Sequence, residues 1–193
     1  MNSQDILKLF KDSQALLTGH FLLTSGRHSD VYYEKFTLLK NPTICTRICE
    51  AMADEFRTSG AETIVGPTTG GIIIAYDVAR YLGIESIYAE QGESGRIFKR
   101  GFSLEPGQKV IIVDDVLTTG KSVEEVIQLV TSYKAEIVGI GLLLDRSGGA
   151  VSFPYPVHSL ATVSAKSWEA KECPLCAKGE PFTQRGSRRM SVS

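Results

Sequence analysis

The residues best suited to chemistry lie together between Val110 and Ser122, in the run Val-Ile-Ile-Val-Asp-Asp-Val-Leu-Thr-Thr-Gly-Lys-Ser. Four apolar residues make a buried strand, Asp114 and Asp115 sit at its carboxyl end, and Thr118-Thr119-Gly120 turns the chain into a helix. Ligands in open α/β sheets bind beyond the carboxyl ends of the strands. A helix N-terminus offers unpaired N–H groups and the positive end of the helix dipole, which suits a phosphate. Gly120 lets the backbone approach that anion closely, and the hydroxyls of Thr118, Thr119 and Ser122 add donors. The two acids, one turn earlier, can accept hydrogen bonds from vicinal ribose hydroxyls. The stretch Val113, Asp114, Asp115, Val116, Leu117, Thr118, Thr119, Gly120, Lys121 and Ser122 is therefore a candidate cradle for a ribose 5-phosphate. It is not a P-loop, because the Gly-x4-Gly-Lys-Ser/Thr spacing is missing, and it is not a dinucleotide fingerprint.

The surrounding pattern supplies a scaffold of the right kind. Apolar spacing predicts a helix over residues 3–17 with Ser3 as its N-cap, then short strands at 21–23 and 31–33 around a Ser25-Gly26-Arg27 turn. A helix is expected from Pro42 to about residue 56, with the proline in its first turn. Strands at 63–65, 86–88, 109–113, 136–144 and 157–163 then alternate with helices at 71–82 and 120–133. Such alternation predicts an α/β fold with a mainly parallel sheet flanked by helices. Residues 90–107 are polar, contain glycine and are too long for an ordinary connection, which marks them as a candidate active-site lid.

Composition excludes several classes. The chain has 193 residues, 42% hydrophobic and 22% charged, with a formal net charge of -1. That length suits one domain, with hood elements over about 1–40, a core over about 41–165 and a tail over about 166–193. A near-neutral charge leaves no whole-molecule footprint for nucleic acid. No apolar run approaches the ~20 residues that would span a membrane. The N-terminus lacks the layout of a signal peptide, so a cytoplasmic location is expected. Four cysteines do not make a disulfide framework in a chain this long.

The Val110–Ser122 run resembles the signature with which type I phosphoribosyltransferases bind phosphoribosyl pyrophosphate (PRPP), and the resemblance extends over nearly the whole chain. Gly66-Pro67-Thr68-Thr69-Gly70-Gly71 is similar to that family's pyrophosphate loop, which implies binding by Thr68, Thr69 and Gly70 and a non-proline cis peptide at Thr68–Thr69. Gly19 to Tyr33 contains the Phe-x-Leu-x-Ser-Gly-x-x-Ser-x-x-Tyr pattern of the N-terminal hood in the orotate branch. This implies that Tyr32 and Tyr33 contact the base, although a half-buried β pair would read the same way. In Leu144-Asp145-Arg146-Ser147-Gly148-Gly149 an arginine leaves a strand end beside the ribose segment. A guanidinium pairs bidentately with a carboxylate, which orotate carries and uracil does not. The resemblance maps the orotate contacts to Arg146 and Thr118; a surface ion pair is the plainer alternative for Arg146.

The implied reaction joins orotate to PRPP with Mg²⁺ as cofactor, through an oxocarbenium-like transition state that needs no protein nucleophile. Asp114 and Asp115 would hold the ribose. Lys99, Arg100 and Arg96, the cations of the expected lid, would close over pyrophosphate. In this family the lid completes the neighbouring site, which implies a homodimer with residues 91–104 crossing over. Three positions depart from the best-known branch, since Thr24, Thr69 and Gly70 stand where it has lysine, tyrosine and lysine. Another base-specific enzyme, or a PRPP-binding regulator of the same fold, remains an alternative. The tail segment Cys173-Pro174-Leu175-Cys176 is similar to a short orotate subfamily. It reads either as free thiols in a turn or as half of a zinc site that a dimer partner's pair would complete.

Overall fold

The computed structural model describes residues 1–184 except Thr24 and Ala165; the basic residues Arg185, Arg188 and Arg189 lie outside the described residues, as does Thr24. The chain begins with α1 (Ser3–Asp12), whose N-cap is Asn2, its side chain accepting from the Asp5 N–H. The expected helix over 3–17 is therefore too long by five residues, and its N-cap is Asn2 rather than Ser3. Gln14 takes a left-handed φ of 53° and stops it, and Leu16 and Leu17 instead begin β1 (Leu16–Leu22). β1 pairs antiparallel with β2 (His28–Tyr33). Two helices follow, α2 (Lys35–Leu39) and α3 (Pro42–Asp54), the second capped by Asn41 with proline in its first turn.

The main sheet then builds up as expected. It contains β3 (Thr63–Pro67), β4 (Glu85–Gly92), β5 (Gly95–Ile97), β6 (Lys109–Leu117), β7 (Glu136–Asp145) and β8 (Val157–Ser159), in the order β5-β4-β3-β6-β7-β8. Every pairing is parallel except β4 with β5. Between strands run α4 (Gly70–Leu82), closed by Gly83, and α5 (Lys121–Ser132). The tail adds α6 (Pro174–Ala177) and β9 (Thr183–Gln184), which pairs with β1 to make a second sheet, β2-β1-β9.

The period-2 alternation of the buried strands divides the core between the two sheet faces. Ile111, Val113 and Leu143 face a cluster formed with Phe10, Ile48, Met52 and Ile74 from the helices on that side. Val110, Ile112 and Leu142 face Val123, Val126 and Val130 of α5. A sheet buried on both faces is rigid, and it delivers the ends of β3, β6 and β7 to one edge.

The region expected to be a lid begins as a hairpin. Residues 90–92 pair with 95–97 as a tight hairpin about Glu93 and Ser94. Beyond it Phe98 and Phe102 pack on the α5-side core and Leu104 is buried in it. These aromatic anchors hold the loop against its own chain.

Candidate active site

Both acids are carried by β6, which runs on through Leu117 and so is longer than the expected strand. Asp114 is 7% and Asp115 4% exposed. Burial needs compensation, and part of it comes from an unanticipated residue. Lys35, at the start of α2, places its Nζ 2.7 Å from Asp115 Oδ1. Burial alone would lower the Lys35 ammonium, but the charge and hydrogen bond of Asp115, with Asp114 and Tyr32, outweigh it and the net shift is upward. Asp114 behaves differently. Burial first, and repulsion from Asp115 second, push its carboxyl up to about 7, against the opposing pull of the Asp115 N–H, Lys35 and Ser122. Two neighbouring acids are thus set apart, one ion-paired to a lysine and one poised to carry a proton.

The turn after β6 is open to solvent. Thr118 and Thr119 are exposed, and Gly120 caps α5 with a φ of 80°. A Cβ on Gly120 would come within 2.8 Å of Val151 Cγ1, so both the backbone angle and the packing require glycine. Not every residue of the segment faces this opening. The Val113 and Leu117 side chains are buried in the two cores, and only their backbone can face a ligand. Lys121 extends into solvent, 3.9 Å from Glu125 one turn along α5, and its ammonium does not lean over the turn.

The glycine loop after β3 packs directly against the acids. Thr68–Thr69 is a cis peptide, at the bond expected from the resemblance. A Cβ on Gly70 would overlap Asp115 Oδ2. Gly70 is thus explained by close approach, and a lysine could not stand there without moving Asp115.

Of the three loop cations, only Arg96 reaches this edge. Its Nη1 donates to Thr68 Oγ1 at 2.7 Å, its Nη2 to Ser122 Oγ at 3.4 Å, and its Nε lies 3.4 Å from Glu125 Oε2. It bridges the pyrophosphate loop and the phosphate turn. Lys99 and Arg100, expected to be catalytic, are not brought to the acids. Both turn to Glu90, at 3.7 and 3.0 Å, because the packed Phe98 and Phe102 fix the backbone between them on that side.

The remaining residues come from β2 and from the end of β7. The Arg146 N–H donates to Leu117 O at 2.8 Å, which ties the arginine to the strand end just before Thr118. Its guanidinium carbon lies 5.4 Å from the centroid of the Tyr33 ring. Burial pulls Arg146 below its ordinary value, opposed by Tyr33 and Tyr32, and its Nε is buried with no hydrogen-bond partner among the described residues. An arginine stays charged under such conditions, so this is a half-buried cation whose buried Nε is an unused donor. Burial likewise raises the Tyr33 hydroxyl, with Arg146 opposing.

Residues 37–174 match the phosphoribosyl transferase domain family. The chain is 41% identical over 191 residues to orotate phosphoribosyltransferase of Desulforamulus reducens, covering 99% of this chain and 100% of that one. This chain belongs to the phosphoribosyltransferase family, in its orotate branch. It is also 42% identical over 190 residues to the orotate enzyme of Caldicellulosiruptor saccharolyticus, covering 98% of this chain and 100% of that one. Among solved structures, orotate phosphoribosyltransferase from Aeropyrum pernix superposes with a TM-score of 0.70 at 25% identity, over 82% of this chain and 93% of the other. The orotate enzyme of Mycobacterium tuberculosis shares the fold, with a TM-score of 0.66 at 21% identity over 83% and 97% of the two chains. In the family frame, the two acids, the Thr-Thr-Gly turn and the glycine loop form one continuous edge, and Arg146 with Tyr33 stands beside it.

Proposed function

We propose that this chain transfers the phosphoribosyl group of PRPP to orotate, giving orotidine 5′-phosphate and pyrophosphate. The observation that carries the base assignment is Arg146, a part-buried guanidinium with an unused Nε, stacked by Tyr33 at the edge where the acids lie. A planar carboxylate is the ligand that such a fork satisfies. The whole-chain likeness to orotate enzymes supports the same reading.

In this mechanism the 5-phosphate sits on the N-terminus of α5, against the backbone N–H groups of the Gly120 turn and the hydroxyls of Thr118, Thr119 and Ser122. Asp115, ion-paired to Lys35, holds the ribose hydroxyls and favours the positive charge that develops on the ring. Asp114 hydrogen-bonds the sugar and can retain a proton near neutrality. Backbone N–H groups of Thr69 and Gly70, with Arg96, receive the departing pyrophosphate, the Thr68 N–H being given to Ala89 O. Catalysis then consists of positioning and electrostatic stabilisation. The oxygen-only donors at this edge, the two carboxylates and the threonine hydroxyls, fit a hard cation. Mg²⁺ held there with the substrate's own oxygens would neutralise the leaving group.

Lys99 and Arg100, turned away from the acids of their own chain, are proposed to serve the neighbouring site in a cytoplasmic homodimer, the exposed tip of the 91–104 loop reaching across while Arg96 and the Phe98 and Phe102 anchors stay on their own chain. The described residues contain no helix long and apolar enough to cross a membrane. A base panel tests the assignment: the protein is incubated with PRPP, Mg²⁺ and orotate, uracil, adenine or xanthine in turn, and pyrophosphate release is measured. Release with orotate alone is expected. Release with a different base would reassign the pocket, and PRPP binding without release would favour a regulator.

A further inference from the structure

Four ligand-type side chains meet at a point that the phosphoribosyl transfer does not use. His20 lies on β1, His28 opens β2, and Cys173 and Cys176 flank the start of α6. His20 Nε2 is 2.6 Å from His28 Nδ1 and 3.5 Å from Cys173 Sγ. Cys176 Sγ is 3.8 Å from His20 Nε2 and 3.4 Å from His28 Nδ1. All four ligand atoms lie within 4.8 Å of one another.

We propose that these residues form a closed structural zinc site within one chain. With Zn–N of ~2.05 Å and Zn–S of ~2.3 Å, a tetrahedral ion sets N···S edges of roughly 3.6 Å and N···N edges of roughly 3.3 Å. The three N···S separations fall at 3.4, 3.5 and 3.8 Å. The N···N distance is shorter than the edge, at the length of an N–H···N hydrogen bond, and a modest rotation of the His28 ring opens it. The tautomer of His20 favours metal binding. Its Nδ1 lies 2.7 Å from the Glu180 carbonyl oxygen, which can only accept, so Nδ1 carries the hydrogen and Nε2 turns its lone pair into the cluster. Such an outer hydrogen bond to a carbonyl is how metal-ligating histidines are usually oriented. His20, His28 and Cys173 are buried, and the Phe182 ring packs edge-on against both imidazoles, at 5.7 and 5.3 Å. Two thiolates and two imidazoles select zinc over magnesium or calcium, and four protein ligands leave no open position for catalysis.

The zinc would tie the β1–β2 hairpin to the tail. The same two pieces are already joined by the pairing of His28 with Trp168 and by Arg27 bonds to Ser167 and Glu169. Because β2 ends in Tyr32 and Tyr33, the metal would also fix the base-binding tyrosines. That last consequence rests on the proposed orotate site; the metal site does not.

The test uses the full chain under reducing conditions, stripped with a chelator and titrated with Co²⁺. One Co²⁺ per chain is expected, with thiolate-to-cobalt charge-transfer absorption and tetrahedral d–d bands, displaced by one equivalent of Zn²⁺. Chelation should lower the Tm by roughly 5–10 °C. Cys176→Ser, at an exposed position, and His28→Gln should each weaken Co²⁺ binding by more than about 100-fold. Cys45, Cys49 and Asp77 also approach one another inside the core, so Cys45→Ala serves as the control and should leave the bands intact. Failure of the reduced, folded chain to bind Co²⁺ or Zn²⁺ stoichiometrically would overturn the proposal. So would bands that persist in Cys176→Ser, or that vanish in Cys45→Ala.

Discussion

The two halves of the candidate active site are built in opposite ways. The ribose-phosphate half comes from one unbroken run, Asp114 to Ser122, in which a strand, a turn and a helix N-terminus place every group by local geometry. The base half is assembled from afar, with Tyr32 and Tyr33 on β2 and Arg146 past the end of β7. The first half is fixed locally because β6 is core and runs directly into the turn and α5. The second depends on how the hairpin docks on the sheet, so a substitution should strike chemistry in the first half and affinity in the second.

The largest effect is expected in the contiguous half. Asp114→Asn with Asp115→Asn should lower turnover by on the order of 10²–10³-fold while circular dichroism stays unchanged. Retained turnover would remove both acids from the transition state. Lys35→Met tests the long-range support of that half. It leaves the carboxylate of Asp115 buried and unpaired, and since Lys35 is itself 28% exposed the expected loss is about 2 kcal/mol, visible as a lower Tm. An unchanged Tm would mean that solvent already compensates Asp115.

Asp114 adds a pH signature. Its carboxyl titrates near 3.8 when unfolded and at about 7 when folded. Between those values the native state binds more protons than the unfolded chain, so stability falls as pH rises through that window. Asp114→Asn removes the penalty. It should gain on the order of 4 kcal/mol over the parent at pH 8 and nothing near pH 3, as read by denaturant melts at both. A parallel pH dependence in parent and variant would show that Asp114 is not the titrating group. The smallest effect is expected at Lys121, whose solvated pairing with Glu125 makes Lys121→Ala neutral within about 0.5 kcal/mol and within twofold in turnover. A large loss would place its ammonium on the phosphate after all.

The same contrast separates what the sequence made legible from what it did not. Asp114, Asp115, the Thr-Thr-Gly turn and the cis bond at Thr68–Thr69 were readable because each belongs to a short contiguous pattern. The alternation of strands and helices was readable because the buried strands are nearly pure Val, Ile and Leu. Lys35 was not, since nothing around it in the chain marks a lysine that folds back onto an acid. His20 and His28 were inside a recognised pattern but read as hood, because their partners Cys173 and Cys176 lie about 150 positions away. The end of α1 was misplaced because Leu16 and Leu17 continue a helical spacing that the backbone at Gln14 breaks. The loop cations could not be ranked without knowing that Phe98 and Phe102 are anchors and that Glu90 takes Lys99 and Arg100.

The role of Arg146 as the receptor for the base carboxylate is tested most directly by steady-state kinetics of the parent and Arg146→Ala with both substrates varied. Loss of a charge-assisted pair predicts an orotate KM raised roughly 10–100-fold, with the PRPP KM changed by no more than about threefold. An orotate KM left unchanged, or both KM values rising together, would contradict that role and with it the assignment of orotate as substrate.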